Sequence, residues 1–309
     1  MKQAETFQGV YSIAVTPFDT TGAVDMASVD RVTDFYMERG ANGLTILGIL
    51  GEAQKLSEEE AFAITRRVMS RTKVPVIVGI SAPGFSAMRS LVRVAMDHGA
   101  AGVMIAPPSS LKTDDQIVGY YAQAVEAIGD DVPFVIQDYP LALSVVMTPK
   151  VIRQIVQNHP SCIMLKHEDW PGLEKISALR SFERDGSMRQ VSILTGNGGL
   201  FLDFEMERGA DGAMTGYAFP ELLVDVVRHA KSGDRDRAHD LFDAHLPLIR
   251  YEQQQGIGLA VRKYILQKRG AIASDTQRKP GTALSKTARE EVDYLLARLA
   301  RHDKRAGNF

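Results

Sequence analysis

This 309-residue chain has one cysteine, Cys162, and lacks any uninterrupted apolar stretch long enough to span a bilayer. A lone cysteine excludes an internal disulfide, and with no Cys-x-x-Cys or Cys/His cluster beside it a zinc site is not indicated; Cys162 reads as a small core residue. Excess charge of one sign is missing as well. The formal net charge is −2 and the isoelectric point about 6.4, so no global basic field points to nucleic acid or an anionic membrane as partner. The N-terminus, Met1-Lys2-Gln3-Ala4-Glu5, leads into no apolar signal core. These absences leave a cytoplasmic protein that acts on a small molecule. What is present is ordinary globular composition, 45% hydrophobic and 24% charged, in a length that suits one α/β barrel with an appendage or two smaller domains.

Organisation comes from a repeated tetrapeptide, Gly-Ala-x-Gly, at Gly40–Gly43, Gly99–Gly102 and Gly209–Gly212. Each copy follows an amphipathic helical pattern and precedes a short apolar run. The first glycine suits a helix C-terminus, and the second suits close packing where the chain enters a strand. The copies lie 59 and 110 residues apart, near two and four multiples of a unit of about 28 residues, the size of one strand and one helix.

Short apolar runs predict eight strands: Val10 to Val15, Gly43 to Leu47, Pro75 to Gly79, Gly102 to Ala106, Pro133 to Gln137, Ile163 to Lys166, Val191 to Thr195 and Gly212 to Thr215. Helical patterns alternate with them, among them Ser57 to Arg71, which opens on the capping box Ser57/Glu60, and Gly199 to Arg208. Eight such alternations predict a (β/α)8 TIM barrel over residues 1–232. After Pro220 the strand signal ends, and helices near Arg235 to Gln255, Leu259 to Arg269 and Lys286 to Arg301 predict a C-terminal helical appendage over 233–309, its last helix capped by Thr287/Glu290.

Chemistry in such a barrel sits at the C-terminal strand ends. Lys166 closes the apolar run Cys162-Ile163-Met164-Leu165 and is followed by His167-Glu168-Asp169. A lysine at the mouth of a buried strand loses hydration, which disfavours the ammonium and provides a nucleophilic amine near neutral pH. Standing alone, it also reads as a strand-ending lysine paired with Glu168 or Asp169 at the surface. Strand alternation puts Lys166 and Glu168 on one face and His167 on the other. Gln137 ends the fifth strand in an equivalent place, followed by Asp138, Tyr139 and Pro140, while the glycine-rich turns Gly48-Ile49-Leu50-Gly51-Glu52 and Thr195-Gly196-Asn197 expose N–H groups suited to a carboxylate. Glu52 reads as a structural carboxylate, His167 as a structural histidine, Asp138 as either a turn residue or a substrate contact, and Asn197 as a contact for substrate hydroxyls or a turn residue. Ile49, Leu50, Tyr139, Phe219 and Trp170 together suggest a dry pocket wall.

The run Gly9-Val10 to Thr16-Pro17-Phe18, the loop Gly48-x-x-Gly51-Glu52, the Pro140 turn, Lys166 and Gly209-Ala210-Asp211-Gly212 resemble the dihydrodipicolinate synthase and N-acetylneuraminate lyase family over roughly residues 8 to 300. The resemblance implies class I lyases in which the lysine at Lys166 forms a Schiff base with a 2-oxo acid, without a metal or organic cofactor, in homodimers or homotetramers.

Departures from the family pattern narrow the expectation. Where the family carries hydroxyl residues that bind the oxo-acid carboxylate, this chain has Ile49 and Leu50; where it carries the relay tyrosine, this chain has Gln137, whose amide does not titrate. Tyr139 shares strand parity with Gln137 but lies about 6.6 Å further along. Ala142 replaces an arginine that grips a second substrate, and Ser109 replaces a tyrosine contributed across a dimer. The turn Gln137-Asp138-Tyr139-Pro140-Leu141, the motif Lys166-x-Glu168 and the segment Gly212-Ala213-Met214-Thr215-Gly216 resemble the branch that dehydrates 2-keto-3-deoxy sugar acids. On that resemblance Lys166 is the nucleophile and Glu168 the acid/base, assisted by Gln137, with Gly48, Ile49, Leu50, Ser109, Asp138, Tyr139, Gly196, Asn197, Met214 and Thr215 about the substrate. The alternatives are a carbon–carbon lyase of aldolase or synthase type, and a non-catalytic barrel that binds a small oxo acid.

Overall fold

A computed structural model describes residues 7–170 and 172–307; the N-terminal pentapeptide read above lies outside them. Eight parallel strands close into a barrel in sequence order. They are β1 (Gly9–Ile13), β2 (Gly43–Ile46), β3 (Val76–Gly79), β4 (Gly102–Ile105), β5 (Phe134–Asp138), β6 (Cys162–His167), β7 (Ser192–Thr195) and β8 (Gly212–Thr215). Between them run α1 (Met26–Glu38), α2 (Glu58–Arg71), α3 (Phe85–Asp97), α4 (Asp114–Ile128), the short α5 (Pro140–Leu143) with α6 (Pro149–Asn158), α7 (Leu173–Arg184) and α8 (Leu202–Glu207). The C-terminal helices are α9 (Pro220–Lys231), α10 (Arg235–Glu252), α11 (Gly258–Lys268) and α12 (Lys286–Leu299).

The glycine repeat acts as its sequence implies. Gly40, Gly99 and Gly209 follow α1, α3 and α8 with φ of +84°, +84° and +94°, where a Cβ would be strained. At the entry to β8 a Cβ on Gly212 would lie 1.9 Å from the Gly9 carbonyl oxygen, so the barrel closes only with glycine there. Inside the barrel, Tyr11, Ile13, Ile77, Met104, Val135, Met164, Leu194 and Met214 form a packed floor. Outside, the helices bury the opposite strand faces.

Two helix starts differ from the sequence expectation. The cap of α12 is Ser285, whose side chain accepts from the Ala288 N–H; Thr287 already lies inside the helix, and the expected Thr287/Glu290 box does not form. The helix expected from Gly199 begins at Leu202, because Gly198 and Gly199 take positive φ. The Ser57/Glu60 box forms as expected.

The C-terminal helices share an apolar core with α9, built on residues such as Leu222, Val226, Phe242, Leu248, Val261, Ile265 and Val292. They also tie to the β2 loop through charge. Glu52, buried and in the left-handed region, accepts from Lys263 Nζ at 2.5 Å, Lys55 Nζ at 2.8 Å and the Arg278 N–H at 3.1 Å. This is the structural carboxylate that the sequence suggests.

Candidate active site

The position of Lys166 depends on one irregularity. Phe134 pairs with Cys162 but Val135 pairs with Met164, so Ile163 is an extra residue in β6. Strict alternation from Cys162, which faces the helices, would turn Lys166 outward. The bulge shifts the count by one, which flips the face of every later residue. Gln137 then stands in register with Lys166, and Lys166 with the inward-facing Leu194.

Pairing of β6 continues past His167, since the Glu168 N–H donates to the Asp138 carbonyl at 2.8 Å. Glu168 therefore shares the Lys166 face, as alternation predicts. Lys166 Nζ lies 2.5 Å from Glu168 Oε2, and Gln137 Nε2 donates to the same oxygen at 3.0 Å. Lys166 and Glu168 are 3% and 6% exposed, so their charges interact with little screening. Room for the carboxylate comes from Gly196, where a Cβ would sit 2.2 Å from Glu168 Cγ. Asn197, at φ +49°, donates from Nδ2 to the Glu168 carbonyl at 3.0 Å, and its N–H lies 3.4 Å from Oε1. The Gly198 N–H donates to Thr215 Oγ1 at 2.7 Å.

These groups open into a cavity of about 340 Å³, whose wall includes Ile49, Leu50, Gln137, Tyr139, Lys166, Glu168, Asn197 and Thr215. Gly196 lies just behind Glu168. Burial, foremost, and the nearby Glu168 charge raise the Tyr139 phenol above its ordinary range, which favours the protonated hydroxyl, a group able to donate a hydrogen bond. In the β2 loop, Ile49–Gly51 form a 3₁₀ turn. Gly51 and Glu52 donate back to Gly48 and Ile49 at 3.0 Å each, while the first N–H groups of such a turn, those of Ile49 and Leu50, have no acceptor within it.

Several expected contacts lie elsewhere. Asp138 does not reach the cavity: one residue past Gln137, it faces the helices, where Oδ2 accepts from Lys175 Nζ at 2.8 Å and lies 3.4 Å from His167 Nδ1. Lys175 also pairs with Asp169 at 2.6 Å, so Asp138 and His167 form a buried polar support behind the strand ends. Ser109 is exposed in the loop after β4, its carbonyl accepting from Lys112 Nζ at 2.8 Å, and it is absent from the cavity wall. Met214 belongs to the barrel floor, and a Cβ on Gly48 would lie 3.7 Å from Ile13 and from Met104, on the floor side. Phe219 is buried among the C-terminal helices, and Trp170 packs on Phe201 with ring centroids 5.0 Å apart; neither lines this cavity.

Other wall residues were not singled out from the sequence. Glu252, Gln253, Leu259 and Arg262 come from α10, α11 and their connection, so the C-terminal helices roof the site. Arg262 and Glu252 are 2% exposed and joined through Nε and Oε1. The signal was the pair Arg262-Lys263 inside the otherwise apolar stretch Leu259 to Leu266. Among the described residues no group of three or more His, Cys, Asp or Glu side chains is arranged to hold a metal ion, and no helix is long and apolar enough to cross a membrane.

Comparison with known proteins agrees with this architecture. The profile of the dihydrodipicolinate synthetase family matches residues 6–299. The L-2-keto-3-deoxyarabonate dehydratase of Azospirillum brasilense is 31% identical over 303 residues, covering 94% of each chain. The 4-hydroxy-tetrahydrodipicolinate synthase of Chlorobium luteolum is 27% identical, covering 91% of this chain and 94% of the relative. A crystal structure named as the dihydrodipicolinate synthase of Rhodopseudomonas palustris superposes with a TM-score of 0.93 at 68% identity, over 94% of this chain and 97% of that one. A family profile spanning nearly the whole barrel and its helical roof, together with relatives aligned end to end, makes this chain a lyase of the dihydrodipicolinate synthetase family.

Proposed function

We propose that the protein is a Schiff-base hydro-lyase acting on a 2-oxo acid with a hydroxyl at C4, of the 2-keto-3-deoxy sugar acid kind. The observation that carries this reading is the contact of one Glu168 oxygen with both Lys166 Nζ, at 2.5 Å, and Gln137 Nε2, at 3.0 Å. Nucleophile and proton acceptor thus share one buried point, and the neighbouring amide orients the carboxylate without competing for its proton. The dehydratase name of the Azospirillum relative supports the same reaction class.

The reaction follows from these groups. Glu168 takes a proton from the Lys166 ammonium, and the free amine adds to the C2 carbonyl. Loss of that oxygen as water leaves an iminium, which withdraws electrons from C3. Glu168 has returned its proton to that departing oxygen and is a carboxylate again, so it accepts a proton from C3, and the C3 electron pair forms the enamine. The protonated carboxyl then gives that proton to the departing C4 hydroxyl, so water leaves and the enamine electrons form the C3–C4 double bond. Hydrolysis of the unsaturated iminium returns the 2-oxo product and the lysine.

The name of the Rhodopseudomonas structure favours a second reading, condensation of pyruvate with an aldehyde. Ala142 places no cation near a second substrate, and Gln137 offers no titrating proton, which weighs against it. Incubation with 2-keto-3-deoxy sugar acids and, separately, with pyruvate plus aldehydes distinguishes the two by product: dehydration without carbon loss is expected from the first. Borohydride should also trap a covalent adduct at Lys166. No adduct with any 2-oxo acid in the panel overturns both readings. We propose in addition that the protein works as a homodimer or homotetramer, for which sedimentation should show a mass that is a multiple of the 33.9 kDa chain.

A further inference from the structure

One nitrogen of Arg262, Nη1, is buried without a hydrogen-bond partner among the described residues, although the same guanidinium is engaged through Nε by Glu252. Glu252 is itself committed, since Oε2 accepts from the Ala218 N–H at 3.3 Å. A buried guanidinium nitrogen left unpaired is costly, and Arg262 is also one of the residues lining the cavity.

The surroundings identify what it faces. Nη1 lies against β8 and the β2 loop: a Cβ on Gly216 would come within 2.6 Å of Nη1 and 3.0 Å of Leu50 Cδ1. Glycine at 216 therefore leaves space for the guanidinium beside Leu50. Ile49 and Leu50 carry the N–H groups that the 3₁₀ turn leaves without an internal acceptor. Lys166 and Arg262 are the cationic side chains in the cavity wall. Once Lys166 is joined to C2 of a 2-oxo acid, a carboxylate one bond away has Arg262 as the remaining cation.

We infer that Arg262 is a substrate-specificity residue that binds the C1 carboxylate of the 2-oxo acid, with the Ile49 and Leu50 N–H groups as its co-donors. This rests on the proposed 2-oxo acid reading of the same cavity. It gives the C-terminal helices a direct part in substrate selection: α11 supplies the charge, and the barrel supplies the amine. Guanidinium donors are shaped for this task because they meet a carboxylate in a fixed planar geometry.

Calorimetric titration with pyruvate and with methyl pyruvate tests the inference, since the two differ in that carboxylate. The wild-type protein should prefer the acid by about tenfold or more, as a charge-assisted contact implies. In Arg262→Gln the ratio should fall to within about twofold, the loss falling on pyruvate. Because Arg262→Gln leaves Glu252 buried without its cation, Arg262→Gln with Glu252→Gln provides a second protein in which no charge is stranded. Reading the acid-to-ester ratio within each protein cancels any loss of folded fraction. An unchanged ratio in the double variant overturns the inference, as does the absence of any acid preference in the wild type. Borohydride trapping runs separately: an acid preference that depends on Arg262, without an adduct at Lys166, would leave the carboxylate site standing and remove the Schiff-base reading.

Discussion

Glu168 makes the sharpest prediction at the scale of one residue. Glu168→Gln keeps the side chain's shape and its hydrogen-bonding capacity but removes proton transfer. The variant should still form a borohydride-trapped adduct at Lys166, at a reduced rate, while dehydration falls by about 10²- to 10⁴-fold, the usual contribution of a general acid/base. Full retention of turnover would remove Glu168 from the chemistry. Glu205 offers a pH-dependent counterpart away from the cavity wall. Burial, the largest influence, raises its carboxyl from 4.5 to about 7, and its Oε2 has no hydrogen-bond partner among the described residues. Between those values the folded protein holds a proton that the unfolded chain has released, so stability falls as pH rises through the window. The penalty is absent below pH 4.5 and complete above about pH 7. Glu205→Gln should therefore match the wild type near pH 5 and exceed it at pH 8 by on the order of 3 kcal/mol in chemical denaturation.

At the scale of elements, the caps and the bulge show different degrees of legibility. Ser57 and Glu60 announce α2 because both partners of the box are local in sequence. Thr287 and Glu290 have the same spacing, yet α12 begins at Lys286 with Ser285 as cap. Spacing alone does not choose between neighbouring hydroxyls; the docking of Val292 and Leu296 into the apolar core sets where the first turn starts. Ser285→Ala should lower unfolding stability by about 1 kcal/mol, while Thr287→Ala should change it by less than about 0.5 kcal/mol. Equal effects in denaturant melts would return the cap to Thr287. The bulge at Ile163 left no such local signal. Alternation within Lys166 to Glu168 was readable, but which way the whole set faces depends on how β6 pairs with β5.

Across the whole molecule, the barrel and the C-terminal helices are joined by buried charge as well as by apolar packing. Lys263 is fully buried and gives its ammonium to Glu52 at 2.5 Å and to the Thr276 carbonyl at 2.9 Å. Glu52→Ala should leave that ammonium stranded and cost about 3 to 5 kcal/mol in unfolding stability, the range for breaking a buried pair by removing one partner. Glu52→Ala with Lys263→Met should recover much of the loss. If the double substitution is no better than the single one, Glu52 acts through Lys55 and the Arg278 N–H instead. Because Arg262 and Lys263 are adjacent on α11, the same helix that anchors the β2 loop also roofs the cavity.

Local periodicity was enough for the eight strands, the intervening helices and the C-terminal helical segment, because strand and helix patterns repeat within a few residues and glycine marks the turns. The shared face of Lys166 and Glu168 was legible for the same reason. Contacts between distant parts of the chain were not. The bulge that turns Lys166 inward, the withdrawal of Asp138 behind the strand, the exposure of Ser109 and the arrival of Arg262 over Leu50 all depend on how separate elements meet. Sequence by itself determined the order and type of elements and the common face of Lys166 and Glu168. Only tertiary packing decided which of them face one cavity, because inward or outward direction is a property of strand pairing and helix docking rather than of any short segment.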